Sequence, residues 1–203
     1  MDILNNIEEC LKLAKEADAQ GHSAAAFEFF QRVIALDPGN DFAIYRAVIT
    51  LLELGRISDA EHFLNKIRWN AAPKPYLIES VLGRLRLAQF RVGEAEQHFR
   101  NAWKLEPNST VPAVYLGNCL LKQEKFDEAN DILIEALNVQ DDLDEVYLNL
   151  GCIKRATGDY HAARNYFLKA LEITPDYPNA IRGLADVELW LSFIEKSGNS
   201  SEI

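Results

Sequence analysis

The sequence predicts an all-α protein made of a repeated pair of helices. Apolar residues recur at helical spacing along the chain, and the alternating pattern typical of strands is missing. The sequence also matches itself at an offset of 34 residues, a period typical of stacked helical repeats. The clearest match is a Leu-Gly dipeptide, which occurs at Leu82-Gly83, Leu116-Gly117 and Leu150-Gly151.

Four further columns repeat at the same offset. They hold, in order, an alanine, a bulky apolar residue, a second alanine and a helix-ending residue. The members are Ala95, Ala129 and Ala163; Phe99, Leu133 and Phe167; Ala102, Ala136 and Ala170; and Pro107, Asp141 and Pro175. Small residues in such columns let neighbouring helices approach closely, and the large ones fill the layers between them.

These columns predict five units with one irregular step. A lead-in at residues 1–6 precedes the units, which span residues 7–40, 41–75, 76–109, 110–143 and 144–177. The spacing from Val48 to Gly83 is 35, so one residue is inserted. The segment WNAAPKP is the expected place, because Pro73 and Pro75 preclude a regular helix there.

Each unit reads as two helices. In the fifth, EVYLNLGCIKRATG has helical apolar spacing up to a glycine, and YHAARNYFLKALEI continues to Thr174-Pro175, which ends the second helix. Units one and two are less regular, since Val33, Val48 and Ile67 stand where small residues are usual. Wider helix spacing is expected in these two units.

A sixth half-unit follows the fifth unit. Ile181 and Leu184 restart the first-helix pattern, which predicts a capping helix at 178–196 and a flexible tail at 197–203. This helix is expected to cover the apolar face of the last unit. It is also expected to present charge outward, through Asp186, Glu188, Glu195 and Lys196.

The pattern resembles the tetratricopeptide repeat (TPR). Unit five matches the family's aromatic, Leu-Gly, alanine, aromatic and late proline with Tyr147, Leu150-Gly151, Ala163, Phe167 and Pro175. The resemblance covers about residues 7 to 196. It implies a right-handed superhelical α-solenoid of antiparallel helix pairs, whose first helices line a groove that binds peptides or a partner's helix.

The resemblance also implies which side chains face that groove. The residues favoured for ligand binding are Tyr45, Arg46, Ile49, Ser80, Arg84, Val114, Tyr115, Asn118, Leu148, Asn149 and Arg182. The same rows contain Leu11, Lys12, Lys15, Val81, Cys152, Gly183 and Asp186. Burial against the next unit is the alternative for the apolar members, and it is favoured for Ile49 and Leu148 over Tyr45 and Tyr115.

Charge and amide positions suggest a ligand class. Cations outnumber acids in the groove rows, so the groove is expected to be positive and to prefer an acidic, partly apolar ligand. Asn118 and Asn149 stand where peptide-binding relatives bond the ligand backbone. The alternative is that these are ordinary solvated side chains. Val114, Asn179 and Gly183 replace the basic residues of the family's clamp for chaperone tails, which disfavours that ligand.

The remaining composition argues against several classes of function. The chain carries 21 Lys and Arg against 31 Asp and Glu, a formal charge of −10, which disfavours nucleic-acid binding and membrane insertion. Its four histidines and three cysteines show no metal-ligand spacing, and no phosphate loop or nucleophile motif is present. Neither an enzyme nor a cofactor is predicted, and the cysteines are expected to be reduced thiols in the cytoplasm.

The predicted function is therefore that of a non-catalytic adaptor or scaffold for protein partners. Two alternatives stay open. One is a self-assembling structural protein, a homo-oligomer joined through the apolar end of the last helix, with Trp190, Leu191, Phe193 and Ile194. The other is a secretion or assembly chaperone of the bacterial kind.

Overall fold

The computed structural model describes residues 3–66, 74–139 and 143–199, which form helices and turns without any strand. The all-α fold predicted from the repeat is confirmed. The helices are α1 (Ile3–Ala19), α2 (Ser23–Leu36), α3 (Asp41–Glu53), α4 (Ile57–Lys66), α5 (Pro75–Ala88), α6 (Val92–Leu105), α7 (Thr110–Lys122), α8 (Phe126–Ala136), α9 (Leu143–Ala156), α10 (Tyr160–Ile173) and α11 (Pro178–Asn199).

Consecutive helices pack as antiparallel pairs, and α11 adds an unpaired first helix. Some bounds differ from the sequence-based expectation. Helix α1 begins inside the expected lead-in, and α11 continues to Asn199, into the expected tail. Pro75 opens α5 instead of precluding a helix, because the first helical residue has no N–H bond to lose. Trp69, Pro73, Ile67 and Asp141 lie outside the described residues.

The helices group into two compact units, Met1–Leu105 and Glu106–Ile203. The first contains two apolar clusters, one built around Phe30 between α1, α2 and α3, and one around Leu51 between α3, α4 and α5. The second contains a cluster around Phe167 that joins α9, α10 and α11. The core is thus a series of layers between neighbouring helices, which is the arrangement of repeat proteins.

The predicted glycine column is a packing column. A Cβ atom at Gly151 would lie 2.6 Å from the ring of Phe167, and one at Gly83 would lie 2.7 Å from Phe99. A Cβ atom at Gly117 would lie 3.0 Å from Leu133, a tight contact that a small shift of the leucine side chain relieves, so the constraint is strongest at Gly83 and Gly151. Because a methyl group does not fit at such distances, the first and second helices of these pairs approach as closely as they do only with glycine.

The turn inside each pair repeats a left-handed backbone position. Gly21, Gly55 and Gly158 occupy it in three pairs, but Phe90 (φ 61°) and Glu124 (φ 59°) occupy it in the other two. An L side chain in this conformation costs roughly 1–2 kcal/mol. Phe90 is also 91% exposed, so its ring gains nothing from burial in return.

Helix α11 packs on the fifth pair and buries Ala180, Gly183 and Val187 against the Phe167 cluster. Its outer face differs from the prediction. Charged residues are exposed there, but so are apolar ones, between 48% and 59%: Ile181, Leu189, Trp190, Phe193 and Ile194. The outer face of α11 thus presents both charged and apolar side chains to solvent.

Candidate functional site

A pocket of about 270 Å³ lies on the first-helix face of the second unit. Side chains from α7, α9, the α10–α11 turn and the first turn of α11 line it: Val114, Tyr115, Asn118, Glu145, Leu148, Asn149, Tyr177 and Asn179. Five of the residues predicted for groove binding meet in this pocket. Arg182, the sixth in this unit, is exposed and is not part of the lining.

Helical spacing explains how the lining assembles. Asn118 lies three and four residues after Tyr115 and Val114, and Glu145 lies three and four residues before Leu148 and Asn149. Residues at these spacings share one face of a helix. Since α7 and α9 pack side by side, the two faces meet and form the floor of the pocket.

Asn149 is used within the protein. The residue is 5% exposed, and its Nδ2 donates a hydrogen bond of 3.2 Å to the backbone oxygen of Val114. This bond joins α9 to α7. A ligand that contacts Asn149 would therefore have to share its amide with a structural hydrogen bond. Asn118 is half-buried and nearer to solvent.

Among the described residues that line the pocket, one is acidic. Glu145 is exposed in the first turn of α9, and no Lys or Arg is among the described residues that line the pocket. Burial, and after it the charges of Glu145 and Asp144, together raise the pKa of Tyr177 to about 12. The positive groove expected from the charges of the first helices thus has no supporting cation among the described lining residues, and it stays a prediction.

Three lining residues, Glu145, Tyr177 and Asn179, were not among those predicted to bind a ligand, and Asn179 was named only as a departure from the family's clamp for chaperone tails. The spacing of Glu145 to Leu148 and Asn149 is the signal that could have marked it, because residues three and four apart share one face of a helix. Tyr177 lies in a turn outside the repeat columns, so no periodic signal marks it. Its position depends on the path of the chain between α10 and α11.

In the first unit, the predicted cations form ion pairs between first helices. Arg46 of α3 donates a hydrogen bond to the carboxylate of Asp18 in α1. Arg84 of α5 lies 3.9 Å from the carboxylate of Glu53 at the end of α3. The sequence assigned the charges of Arg46 and Arg84 to ligand binding. In the structure, acidic residues of the neighbouring first helices balance these two charges.

Two other predicted groove residues in this unit are buried. Ile49 has no exposed surface and Ser80 is 3% exposed. The Ser80 hydroxyl donates to the backbone oxygen of Tyr76 at 2.7 Å, the usual way for a serine within a helix to satisfy its polar group. Tyr45 is only half-buried against the Leu51 cluster. The sequence had favoured full burial for Ile49 over Tyr45.

Family models described as tetratricopeptide repeat match residues 17–75 and 110–176. The chain is a TPR protein. The solved structure of TTC0263, a TPR protein of Thermus thermophilus, is similar with a TM-score of 0.77 and 22% identity, over 90% of this chain and 99% of that one. A Cut9 and Hcn1 hetero-tetramer structure is similar over 88% of this chain and 35% of that chain, with a TM-score of 0.74 and 19% identity.

Two curated proteins align with this TPR protein over part of their length. Anaphase-promoting complex subunit 7 of Dictyostelium discoideum is 33% identical over 50% of the chain and 17% of that protein. Protein O-mannosyl-transferase TMTC1 of Mus musculus is 26% identical over 62% of the chain and 14% of that protein. The chain therefore spans less than a fifth of either relative.

The described part of this TPR protein contains no group of three or more His, Cys, Asp or Glu residues that could hold a metal ion. None of its described helices is both long and apolar enough to cross a membrane. Cys152 is half-buried, and burial raises the pKa of its thiol more than the nearby Arg155 lowers it. The thiol is thus protonated at neutral pH and a poor nucleophile.

Proposed function

We propose that this TPR protein is a non-catalytic adaptor that binds a segment of a partner protein in the pocket between α7, α9 and α11. TPR folds serve in general as protein-interaction scaffolds. The observation that carries the proposal is the meeting of five groove residues, from two helices and separate repeats, in one pocket. The transferase activity named for TMTC1 is not proposed here, because the matched region is 14% of that protein.

The lining suits an extended peptide. The half-buried Asn118 amide can both donate to and accept from a ligand backbone. Tyr115 adds a half-buried ring beside it, whereas Val114 and Leu148 are 4% and 8% exposed and contribute only the apolar edge of the lining. A few polar groups on a mostly fixed helical scaffold orient a ligand, while the apolar contacts contribute affinity.

A solved relative supports peptide binding as a use of this fold. The first TPR domain of Spaghetti (RPAP3), bound to the HSP90 peptide SRMEEVD, is 17% identical with a TM-score of 0.56 over 60% of this chain. The acidic chaperone tail itself is not the proposed ligand. Val114 and Asn179 line the pocket where the family's clamp requires cations.

The proposal is tested by selecting peptides from a random library on the purified chain and measuring their affinities by calorimetry. Asn118→Ala is expected to weaken binding about five- to tenfold, the value of one or two lost hydrogen bonds. Asn165→Ala is the matched control, because Asn165 is an exposed amide on the second helix α10. Equal affinities for the two variants, or selected peptides that bind the second helices, would contradict the proposal.

A further inference from the structure

We infer that the partner segment extends from this pocket along the line where α9 and α11 meet, and that it places an apolar side chain in a second pocket beside Trp190. The inference rests on the proposed function and adds a second contact point to it. The apolar residue of the ligand is expected about four positions from the residue held at Asn118.

The second pocket has a volume of about 340 Å³ and lies at the other end of α9. The last turn of α9, the first residue of α10 and the middle of α11 line it: Arg155, Ala156, Tyr160, Asp186, Leu189 and Trp190. Two of these side chains are large, apolar and more than half exposed, Leu189 at 59% and Trp190 at 53%. Such surface gains free energy when a ligand side chain covers it.

The chemistry of the second pocket favours an apolar occupant. The rings of Tyr160 and Trp190 are nearly parallel, with centroids 5.9 Å apart, and together they present an aromatic surface. The two charged residues among the described lining are bonded to each other, because Arg155 donates a hydrogen bond of 2.7 Å to Asp186. A charged ligand group would have to compete with this pair, whereas an apolar side chain needs only to cover the rings and Leu189.

The two pockets lie on one continuous face of each helix. On α9, Leu148 lines the first pocket and Ala156 the second, eight residues further on. On α11, Asn179 lines the first pocket and Asp186 the second, seven residues further on. Residues seven or eight apart return to the same side of a helix. Because α9 and α11 pack against each other, one ligand can reach both pockets.

The residues between the pockets fix the length of ligand that joins them. Cys152 on α9 and Gly183 on α11 lie between the lining residues at the same helical spacing, and both are small. Arg182 is exposed and lines neither pocket. Eight residues of α-helix span about 12 Å, and an extended peptide advances about 3.3 Å per residue, so about four ligand residues bridge the pockets.

The test uses a random dodecapeptide library displayed on phage and selected on the intact chain. The best peptide is synthesised together with versions in which each apolar residue is replaced by alanine. Calorimetry gives the affinities for the wild type, Asn118→Ala and Trp190→Ala. Leu189→Ala is a second, smaller change in the same lining, and circular dichroism melts confirm that each variant is folded.

Trp190→Ala is expected to weaken the best peptide about five- to twentyfold, as for an aromatic residue at the centre of a contact. Leu189→Ala should weaken it about threefold. One alanine replacement in the peptide should weaken binding to the wild type by a similar factor and have little effect with Trp190→Ala. Ile173→Ala is the matched control, because it removes a 51% exposed apolar side chain from α10, and it should leave the affinity unchanged.

Shortened peptides measure the spacing. A peptide that ends before the apolar residue should still bind more weakly to Asn118→Ala and should be insensitive to Trp190→Ala. Shortening from the opposite end should abolish the effect of Asn118→Ala once fewer than about four residues precede the apolar residue.

The outcomes separate the two proposals. If Asn118→Ala weakens binding while Trp190→Ala and Leu189→Ala do not, the first pocket binds peptides and the second contact is wrong. Alanine replacements in the peptide that all cost the same with the wild type and Trp190→Ala would also overturn the inference. If no peptide is selected, or Asn118→Ala leaves every affinity unchanged, the proposed function fails and the inference fails with it.

A second copy of the chain is the other occupant to test, since Leu189 and Trp190 belong to the outer face of α11. Light scattering after size-exclusion chromatography measures the mass of the wild type and of Trp190→Ala. A wild-type oligomer that becomes a monomer in Trp190→Ala, with an unchanged peptide affinity, would assign this surface to self-association and overturn the inference.

Discussion

Tyr177 is a residue whose protonation depends on the folded state. Burial, Glu145 and Asp144 raise the pKa of its hydroxyl from the ordinary 10.0 to about 12. Between these values the unfolded chain loses the proton and the folded chain keeps it. Stability that is fully present below pH 10 is therefore lost as the pH rises towards 12.

Tyr177→Phe should remove this dependence. Below pH 10 the variant is expected to have the same free energy of unfolding as the wild type, since no hydrogen bond of the Tyr177 hydroxyl is found in the described residues. Between pH 10 and 12 the wild type should lose stability relative to the variant. Urea unfolding followed by circular dichroism at several pH values measures the difference, and parallel pH profiles would show that the hydroxyl is not perturbed.

The turns between paired helices carry a cost that repeats along the chain. In three of the pairs the residue with the left-handed conformation is a glycine, but in the turn between α5 and α6 it is Phe90. Glycine adopts this conformation without steric cost, although it loses more backbone entropy on folding, roughly 0.5–1 kcal/mol. The steric cost of the phenylalanine is the larger of the two effects.

Phe90→Gly is therefore expected to raise the free energy of unfolding by about 0.5–1 kcal/mol, although it deletes a large apolar side chain. Phe90→Ala separates the causes, because it removes the exposed ring and keeps the strained Cβ. Urea unfolding of both variants provides the comparison. A gain of the same size with alanine would mean that the exposed ring, and not the backbone, is the source.

Neighbouring first helices are also joined by polar contacts. Ion pairs link α1 to α3 and α3 to α5 in the first unit, and α9 to α11 in the second. The hydrogen bond from Asn149 to Val114 links α9 to α7. Partly exposed ion pairs are individually weak, so their effect is to set the register between helices more than to stabilise the fold.

At the scale of the whole molecule, stability comes from apolar layers shared by adjacent helices. The last layer is covered on one side by α11, which packs against Leu148, Phe167 and Ala170. Its half-exposed outer residues, Trp190 and Phe193 among them, are the surface on which the alternative of self-assembly depends. That alternative stays a prediction.

Removing residues 178–203 should expose the Phe167 layer to water. The truncated chain is expected to aggregate or to form oligomers, because an uncovered terminal layer presents a contiguous apolar face. Light scattering after size-exclusion chromatography, with the full chain as reference, measures the mass. A monomeric truncated chain with an unchanged melting temperature would refute the capping role of α11.

The sequence by itself determined the helix pairs and their packing columns. Gly83 and Gly151 recur at a fixed offset because each must lie against a bulky residue of the next helix, so local spacing carries the tertiary contact. The same spacing brought Val114, Asn118 and Leu148 to one face. Repeats are predictable in this way because each unit contacts mainly its neighbours.

The tertiary structure decided the roles of single polar residues. Arg46 and Arg84 pair with acids from other helices, and Asn149 bonds a backbone oxygen on α7. Tyr177 enters the pocket from a turn that no periodicity describes. Electrostatic interactions depend on distances between side chains that are far apart in sequence, so counting charges along one helix face could not show which cations are paired with acids of other helices.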